Sequence, residues 1–153
     1  MGVMSAEAGA SPAPQVPAVL SQEQVKHLEF IQAVVARLGN NSFLVKGWAL
    51  TLAGALLAFA ADGSSWAVAT TALLPLAAFW FLDGYFLQQE RLFRKLYDAA
   101  RRPASTVELF SMDLRPYLPA TLWRDATFSR TLWLFYGGLV CADLAVLLAT
   151  AIG

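Results

Sequence analysis

The chain has 153 residues, of which 58% are apolar and only 14% are charged. A single soluble domain of this length could not hide so much apolar surface from water, so the composition favours a membrane protein. The 11 basic and 11 acidic residues cancel, which argues against a nucleic-acid partner, and one Cys and one His exclude disulfide frameworks and Cys/His metal sites of three or four ligands.

The first part of the chain is predicted to lie outside the membrane. Residues 1–20 contain three prolines among small residues and are predicted to form a disordered tail. Ser21 and Gln24 have the spacing of a capping box, which predicts the start of an amphipathic helix over 21–39. The Gly-Asn-Asn sequence that follows is typical of a helix end, and Ser42 is positioned to cap the next helix.

Three segments are long and apolar enough to cross a bilayer. They cover residues 43–61, 66–87 and 131–152, each close to the roughly 20 residues that span ~30 Å of hydrocarbon. The second segment continues without a helix break to residue 102. We therefore predict an all-α integral membrane protein with three transmembrane helices and amphipathic extramembrane helices.

Residues 103–130 are predicted to connect the second and third spans on the same side as the N-terminus. A second capping-box pattern, Ser105 to Glu108, predicts a short helix towards Met112. All 11 Lys and Arg residues belong to this end of the protein, with Lys46 just inside the first span. The positive-inside rule then predicts a cytoplasmic N-terminus and an external C-terminus.

Catalytic chemistry has little support in the sequence. His27 has no nucleophile pattern near it, Cys141 lies inside the third span, and Gly137-Gly138 does not begin a phosphate-binding loop. We predict a non-enzymatic protein with no catalytic, cofactor-binding or metal-binding residues and no cofactor.

Ionisable residues inside the spans are the most informative ones, because such groups are expensive in lipid. Lys46 and Asp83 lie at nearly the same depth near the inner boundary, so they are predicted to pair within one subunit or between neighbours. The alternative is that Lys46 extends to the headgroups and Asp83 is already at the interface. Asp143 lies about 18 Å deep, where it is either a packing acid or an acid that faces an aqueous lumen.

Two stripes predict self-association. Small residues recur along the first span, which favours close helix packing. The stripe comprises Gly47, Thr51, Gly54, Ala58 and Ala61. On the continuation of the second span, an apolar stripe that includes Leu92, Phe93 and Leu96 is predicted to be an oligomer contact. Gly54 and Ala58 are the corresponding contact candidates in the membrane.

Three sequence blocks resemble the RipA-like family of small bacterial inner-membrane proteins. They are NNSFLVKGWALTL (40–52), FWFLDGYFLQQERLFRKLYDAAR (79–101) and FSRTLWLFYGGL (128–139). The positions that match the family pattern include Asn41, Ser42, Phe43, Lys46, Gly47, Trp48, Asp83, Gln89, Glu90, Arg91, Leu92, Phe93 and Tyr97. The resemblance implies a bacterial inner-membrane location and an octameric assembly, and it implies no established reaction.

The predicted function is a non-enzymatic scaffold or envelope-associated assembly whose partners are further copies of the chain and membrane lipid. The alternative is an oligomeric pore or channel, or a membrane effector of a defence system. Ion flux distinguishes the two, because only the second conducts.

Overall fold

A computed structural model describes residues 20–61, 66–102 and 105–152, so almost all of the predicted tail lies outside the described residues. These residues form helices and irregular segments, with no strand among them, which confirms the all-α prediction. The helices are α1 (Gln22–Ala61), α2 (Trp66–Ala100), a 3-10 helix (Arg115–Ala120), α3 (Trp123–Thr127) and α4 (Arg130–Ile152).

Helices α1, α2 and α4 are long and apolar enough to cross a membrane. In an apolar stretch of 18 residues in each of these helices, only 22%, 22% and 17% of the residues are buried inside the chain. Most of each apolar surface therefore faces outwards, which is the arrangement expected where lipid is the solvent. The structure therefore confirms three helices that are long and apolar enough to span a membrane, as predicted, while the predicted ends of the spans stay predictions.

Helices α1 and α2 form an antiparallel hairpin that continues well beyond the spans. The part of the protein outside the spans, residues 20–42, 88–102 and 105–129, is called the extramembrane layer below. Its centre is an apolar core of Ile31, Leu96 and Ala100, with Phe93 packed against it, and Leu92 is also fully buried. Leu92 and Leu96 are therefore covered by the α1–α2 hairpin of their own chain, which contradicts their prediction as oligomer contacts. Phe93 is only partly buried, so its predicted contact stays a prediction.

Helix α1 begins as predicted. The backbone N–H of Ser21 donates to Gln24 Oε1 over 2.8 Å, and the N–H of Gln24 donates to Ser21 Oγ over 3.1 Å. These reciprocal bonds satisfy two N–H groups that have no partner within the helix. The capping box at the start of α1 is confirmed.

The predicted break between residues 39 and 43 is wrong, because α1 is one helix of 40 residues. The hydroxyl of Ser42, expected to cap a new helix, instead donates to Asp83 on α2. Gly39 lies against α2, where an added Cβ would be 3.8 Å from Glu90 Oε2. Packing along the whole hairpin thus overrides the weak helix propensity of the Gly-Asn-Asn sequence.

The second predicted capping box is also wrong, because the residues after Ser105 form turns rather than a helix. Ser105 Oγ accepts the N–H of Val107 over 3.1 Å, a local bond that competes with helix formation. Phe110 then adopts a left-handed backbone conformation, with φ of 61°, which a helix cannot contain. Regular structure resumes at the 3-10 helix.

The entry to the 3-10 helix is closed by a surface ion pair. Asp113 Oδ1 accepts both the backbone N–H and the Nε–H of Arg115, each over 3.0 Å. The side-chain hydrogen bond from Arg115 is the main reason why the pKa of Asp113 lies below its ordinary value. The pair is exposed, so it contributes to the local turn rather than to the core.

Three side chains of α2 hold residues 105–129, called the connector below, against the hairpin. Gln88 Nε2 donates to the carbonyl of Thr121 over 2.9 Å, and Arg91 Nη1 donates to the carbonyl of Asp125 over 3.0 Å. Lys95 Nζ donates to the carbonyl of Ala120 over 2.5 Å. The connector is therefore fixed to α2 along two turns of helix, although it contains little regular structure of its own.

The corrected role of Leu92 leads to a stability prediction. Leu92→Ala should destabilise the folded chain by about 2–5 kcal/mol, because it creates a cavity in a close-packed core. Leu82→Ala is the matched control, since Leu82 lies on the same helix but is 42% exposed. Thermal unfolding of both variants in one detergent, followed by circular dichroism, measures the difference. An unchanged midpoint for Leu92→Ala, with only a change in oligomer size, would restore the interface interpretation.

Candidate functional site

The most polar part of the spans is a buried cluster around Asp83 on α2. The Asp83 side chain is fully inaccessible to solvent. Its Oδ2 lies 2.6 Å from Lys46 Nζ on α1 and accepts the Tyr136 hydroxyl of α4 over 3.3 Å. Its Oδ1 accepts the Ser42 hydroxyl of α1. We call Ser42, Lys46, Asp83 and Tyr136 the Asp83 cluster.

The ion pair of Lys46 and Asp83 lies within one chain. Lys46 Nζ also donates to Ser42 Oγ over 2.8 Å, so the ammonium and the hydroxyl support each other beside the carboxylate. A buried carboxylate is tolerable only when opposite charge and hydrogen-bond donors surround it. With donors from two other helices, the carboxylate joins all three spans at one level.

Close backbone packing continues the cluster towards the extramembrane layer. Gly84 follows Asp83, and a Cβ on Gly84 would lie 2.4 Å from Thr127 Oγ1 and 3.0 Å from Thr127 Cα. Only glycine permits this approach of α3 to α2. Trp80 Nε1 donates to the carbonyl of Thr127 over 2.8 Å and closes the same junction.

Asp143 lies on α4, two helical turns beyond Tyr136 and further into the membrane. It is 1% exposed, and neither of its carboxyl oxygens has a hydrogen-bond partner. Its side chain is thus enclosed by its own chain and does not lie on the outer surface of the bundle. An unpaired charge would be costly in such surroundings.

Four residues of the small-residue stripe on α1, from Gly47 to Ala58, are exposed on the outside of the bundle. Gly54 and Ala58 are both exposed, and a Cβ added at Gly47 or Gly54 would have no atom within 4 Å. The two membrane contact candidates are therefore open to a neighbouring helix, in contrast to the buried candidates Leu92 and Leu96.

The remaining candidates for chemistry are His27, Cys141 and possible groups of metal ligands. His27 is buried, and its Nε2 lies 3.0 Å from the carbonyl of Ser111. A carbonyl can only accept, so this nitrogen carries the proton and ties the connector to α1. Cys141 is exposed on α4. Within residues 20–61, 66–102 and 105–152, no group of three His, Cys, Asp or Glu side chains could hold a metal ion.

Sequence reasoning identified Lys46 and Asp83 but missed Ser42 and Tyr136 as members of the cluster. Ser42 lies one helical turn before Lys46, a spacing that places both on one face of a continuous helix. That signal was hidden by the predicted helix break. Tyr136 has no comparable signal, because a Tyr near the end of a span is also typical of the membrane interface.

Comparison with known proteins adds no relative, because no family model, curated protein or solved structure matches the chain. The RipA-like resemblance stays a prediction that rests on the three sequence blocks. What the site can do is therefore inferred from its own geometry. Three donor side chains surround the Asp83 carboxylate, which suits a structural role in holding the helices together.

The cluster predicts strong energetic coupling between Lys46 and Asp83. Lys46→Ala and Asp83→Ala should each destabilise the fold by about 1–3 kcal/mol, because each leaves buried polar groups without a partner. The double variant should recover part of the loss, and thermal melting of all four proteins gives the coupling energy.

The matched control for this cycle is the surface pair Lys26 and Glu29. Their Nζ and Oε2 atoms lie 3.2 Å apart, but the side chains are 67% and 59% exposed. Alanine substitutions at this pair should show almost no coupling, because solvent screens the charges. Equal coupling in both cycles, or strictly additive losses at Lys46 and Asp83, would contradict the assigned role of the cluster.

The junction of α2 and α3 gives a second prediction. Gly84→Ala should destabilise the fold by about 1–3 kcal/mol, since the added methyl group overlaps Thr127. Gly138→Ala should be close to neutral, because no atom lies within 4 Å of the corresponding Cβ. Melting temperatures in one detergent test the contrast, and equal stabilities would show that α3 does not pack against Gly84.

Proposed function

We propose that this chain is a non-enzymatic inner-membrane protein that assembles with copies of itself into a scaffold. The observation that supports the proposal most directly is the separation of polar and apolar faces in the spans. All Lys, Arg, Asp and Glu side chains of the described parts of the spans, namely Lys46, Asp83 and Asp143, lie on inward faces. The outward faces carry apolar and small residues.

The geometry of α1 favours association through its outer face. Each residue advances about 100° around a helix, which places Gly47, Gly54 and Ala58 nearly opposite the buried residues Val45 and Ala53. Small residues on an outer face allow a second helix to approach closely, so that backbone and side-chain contacts replace lipid contacts. A neighbouring copy of the chain is the partner proposed for this face.

The same separation favours a scaffold over a pore. A pore between subunits would be lined by outward faces, and conduction of ions requires charged or polar groups along that lining. Thr51 lies on the outer face, but its hydroxyl donates to the carbonyl of Gly47 over 2.9 Å in its own helix. An assembly through these faces therefore has an apolar axis.

The proposed orientation and stoichiometry come from the sequence. The basic extramembrane layer is assigned to the cytoplasm by the positive-inside rule. The resemblance to the RipA-like family makes an octamer in a bacterial inner membrane the expected assembly. In this proposal the extramembrane layers form a ring of helical hairpins on the cytoplasmic surface.

The proposal predicts that bulky residues on the outer face of α1 disrupt the assembly. Native mass spectrometry of the wild-type protein in a mild detergent should show one discrete species larger than a dimer. Gly54→Leu combined with Ala58→Leu should yield smaller species while leaving thermal stability of the chain nearly unchanged, because both positions are exposed.

Helix α4 offers a matched control with the same two substitutions at the same spacing. Gly138 and Ala142 are both exposed, so Gly138→Leu with Ala142→Leu should preserve the assembly. A monomeric wild-type protein would contradict the scaffold. Robust ion flux through wild-type protein in liposomes would instead support the pore alternative.

A further inference from the structure

A cavity of about 320 Å³ lies between the extramembrane part of α2 and the connector. Basic side chains of α2 form one wall, and backbone and side-chain groups of the connector form the other. The lining residues are Arg91, Arg94, Lys95, Ala120, Thr121 and Asp125.

The basic wall keeps an excess of positive charge. Arg91 and Lys95 are held by backbone carbonyls, which fix the positions of the cations without neutralising them. Arg94 Nη2 pairs with Glu90 Oε1 over 2.6 Å, and Asp125 is the acidic residue of the lining. Three cations against these two carboxylates leave the cavity suited to an anion.

Thr121 fixes the connector side of the cavity. The residue is 6% exposed, and its carbonyl accepts Gln88 Nε2 of α2 over 2.9 Å. Its Oγ1 has almost no accessible surface and no hydrogen-bond partner among the described residues, so a ligand in the cavity does not reach it.

The position of the cavity relative to the membrane indicates where the phosphate comes from. Arg91 lies four residues beyond the predicted end of the second span, or about 6 Å at helical rise, which is the depth of the lipid headgroups. Basic side chains also extend back towards the interface. Basic pockets at this level are the usual binding sites of anionic headgroups.

Apolar groups for the acyl chains surround the same region. Large apolar side chains of the connector are exposed beside the spans, and Trp123 stacks on Phe81 of α2 with ring centroids 5.6 Å apart. The exposed residues are Leu118, Leu122, Trp123 and Phe128. Charged groups above an apolar rim match an amphipathic ligand.

We propose that this cavity binds the phosphate of an anionic phospholipid headgroup, with Arg94 and Lys95 as the main charged contacts. The site lies within one chain, so it does not depend on the proposed assembly. Lipid binding and oligomer formation can therefore succeed or fail separately.

The test uses the full-length protein with phosphatidylglycerol as the probe and phosphatidylcholine as its zwitterionic counterpart. Native mass spectrometry counts the lipids that each chain retains during titration of either lipid in detergent. Wild-type protein should retain phosphatidylglycerol preferentially. Arg94→Gln with Lys95→Gln should weaken this binding about 25-fold, since each basic side chain near an anionic surface contributes roughly a factor of five.

Arg102→Gln with Arg124→Gln is the matched control, because it removes the same charge from two exposed residues outside the cavity. This variant should keep the preference for phosphatidylglycerol. Equal losses in both double variants, or no preference in the wild-type protein, would overturn the proposal. Stabilisation by inorganic phosphate equal to that by phosphatidylglycerol would overturn the assignment to a lipid.

Unchanged phosphatidylglycerol binding in Arg94→Gln with Lys95→Gln would remove the site altogether.

Discussion

The burial of one carboxylate constrains the whole molecule. Asp83 lies where three helices meet, and in low-dielectric surroundings its charge is stable only beside Lys46 and the hydroxyl donors of Ser42 and Tyr136. These donors fix the register of α1 and α4 against α2, because a slip of one residue would turn a donor away. Gly84 allows α3 of the connector to pack closely against α2 beside the same cluster.

The Asp83 cluster lies between two parts of the protein that have different solvents. On one side, the spans bury few residues among themselves and present apolar faces to lipid. On the other side, the hairpin of α1 and α2 encloses a conventional apolar core around Ile31 and Leu96. The ionic cluster lies at the boundary, where a charged group near water is less costly than one at the bilayer centre. Asp143, deeper in the membrane, has no comparable set of donors.

Sequence patterns reveal the features that depend on composition and length. Three spans and the matched depth of Lys46 and Asp83 follow from apolar runs and from helical rise. Continuity of α1 through Gly39 does not follow, because a helix end is a local preference that packing against α2 overrides. Leu92 was assigned to an intermolecular contact for a related reason: an apolar stripe shows that a face is buried, but not which chain covers it.

Helix α1 crosses the membrane boundary without a break, so a movement of its membrane span also moves its extramembrane part. About 24 residues, or roughly 36 Å of helix, separate Lys46 from the N-terminal end of α1 at Gln22. A span tilts when the bilayer becomes thinner or thicker. If the helix stays straight and tilts about the Asp83 cluster, a tilt of about 10° displaces that end by about 6 Å. A helix broken at residues 39–42 would absorb the motion in its hinge, whereas this one converts bilayer thickness into displacement at the far end of the extramembrane layer.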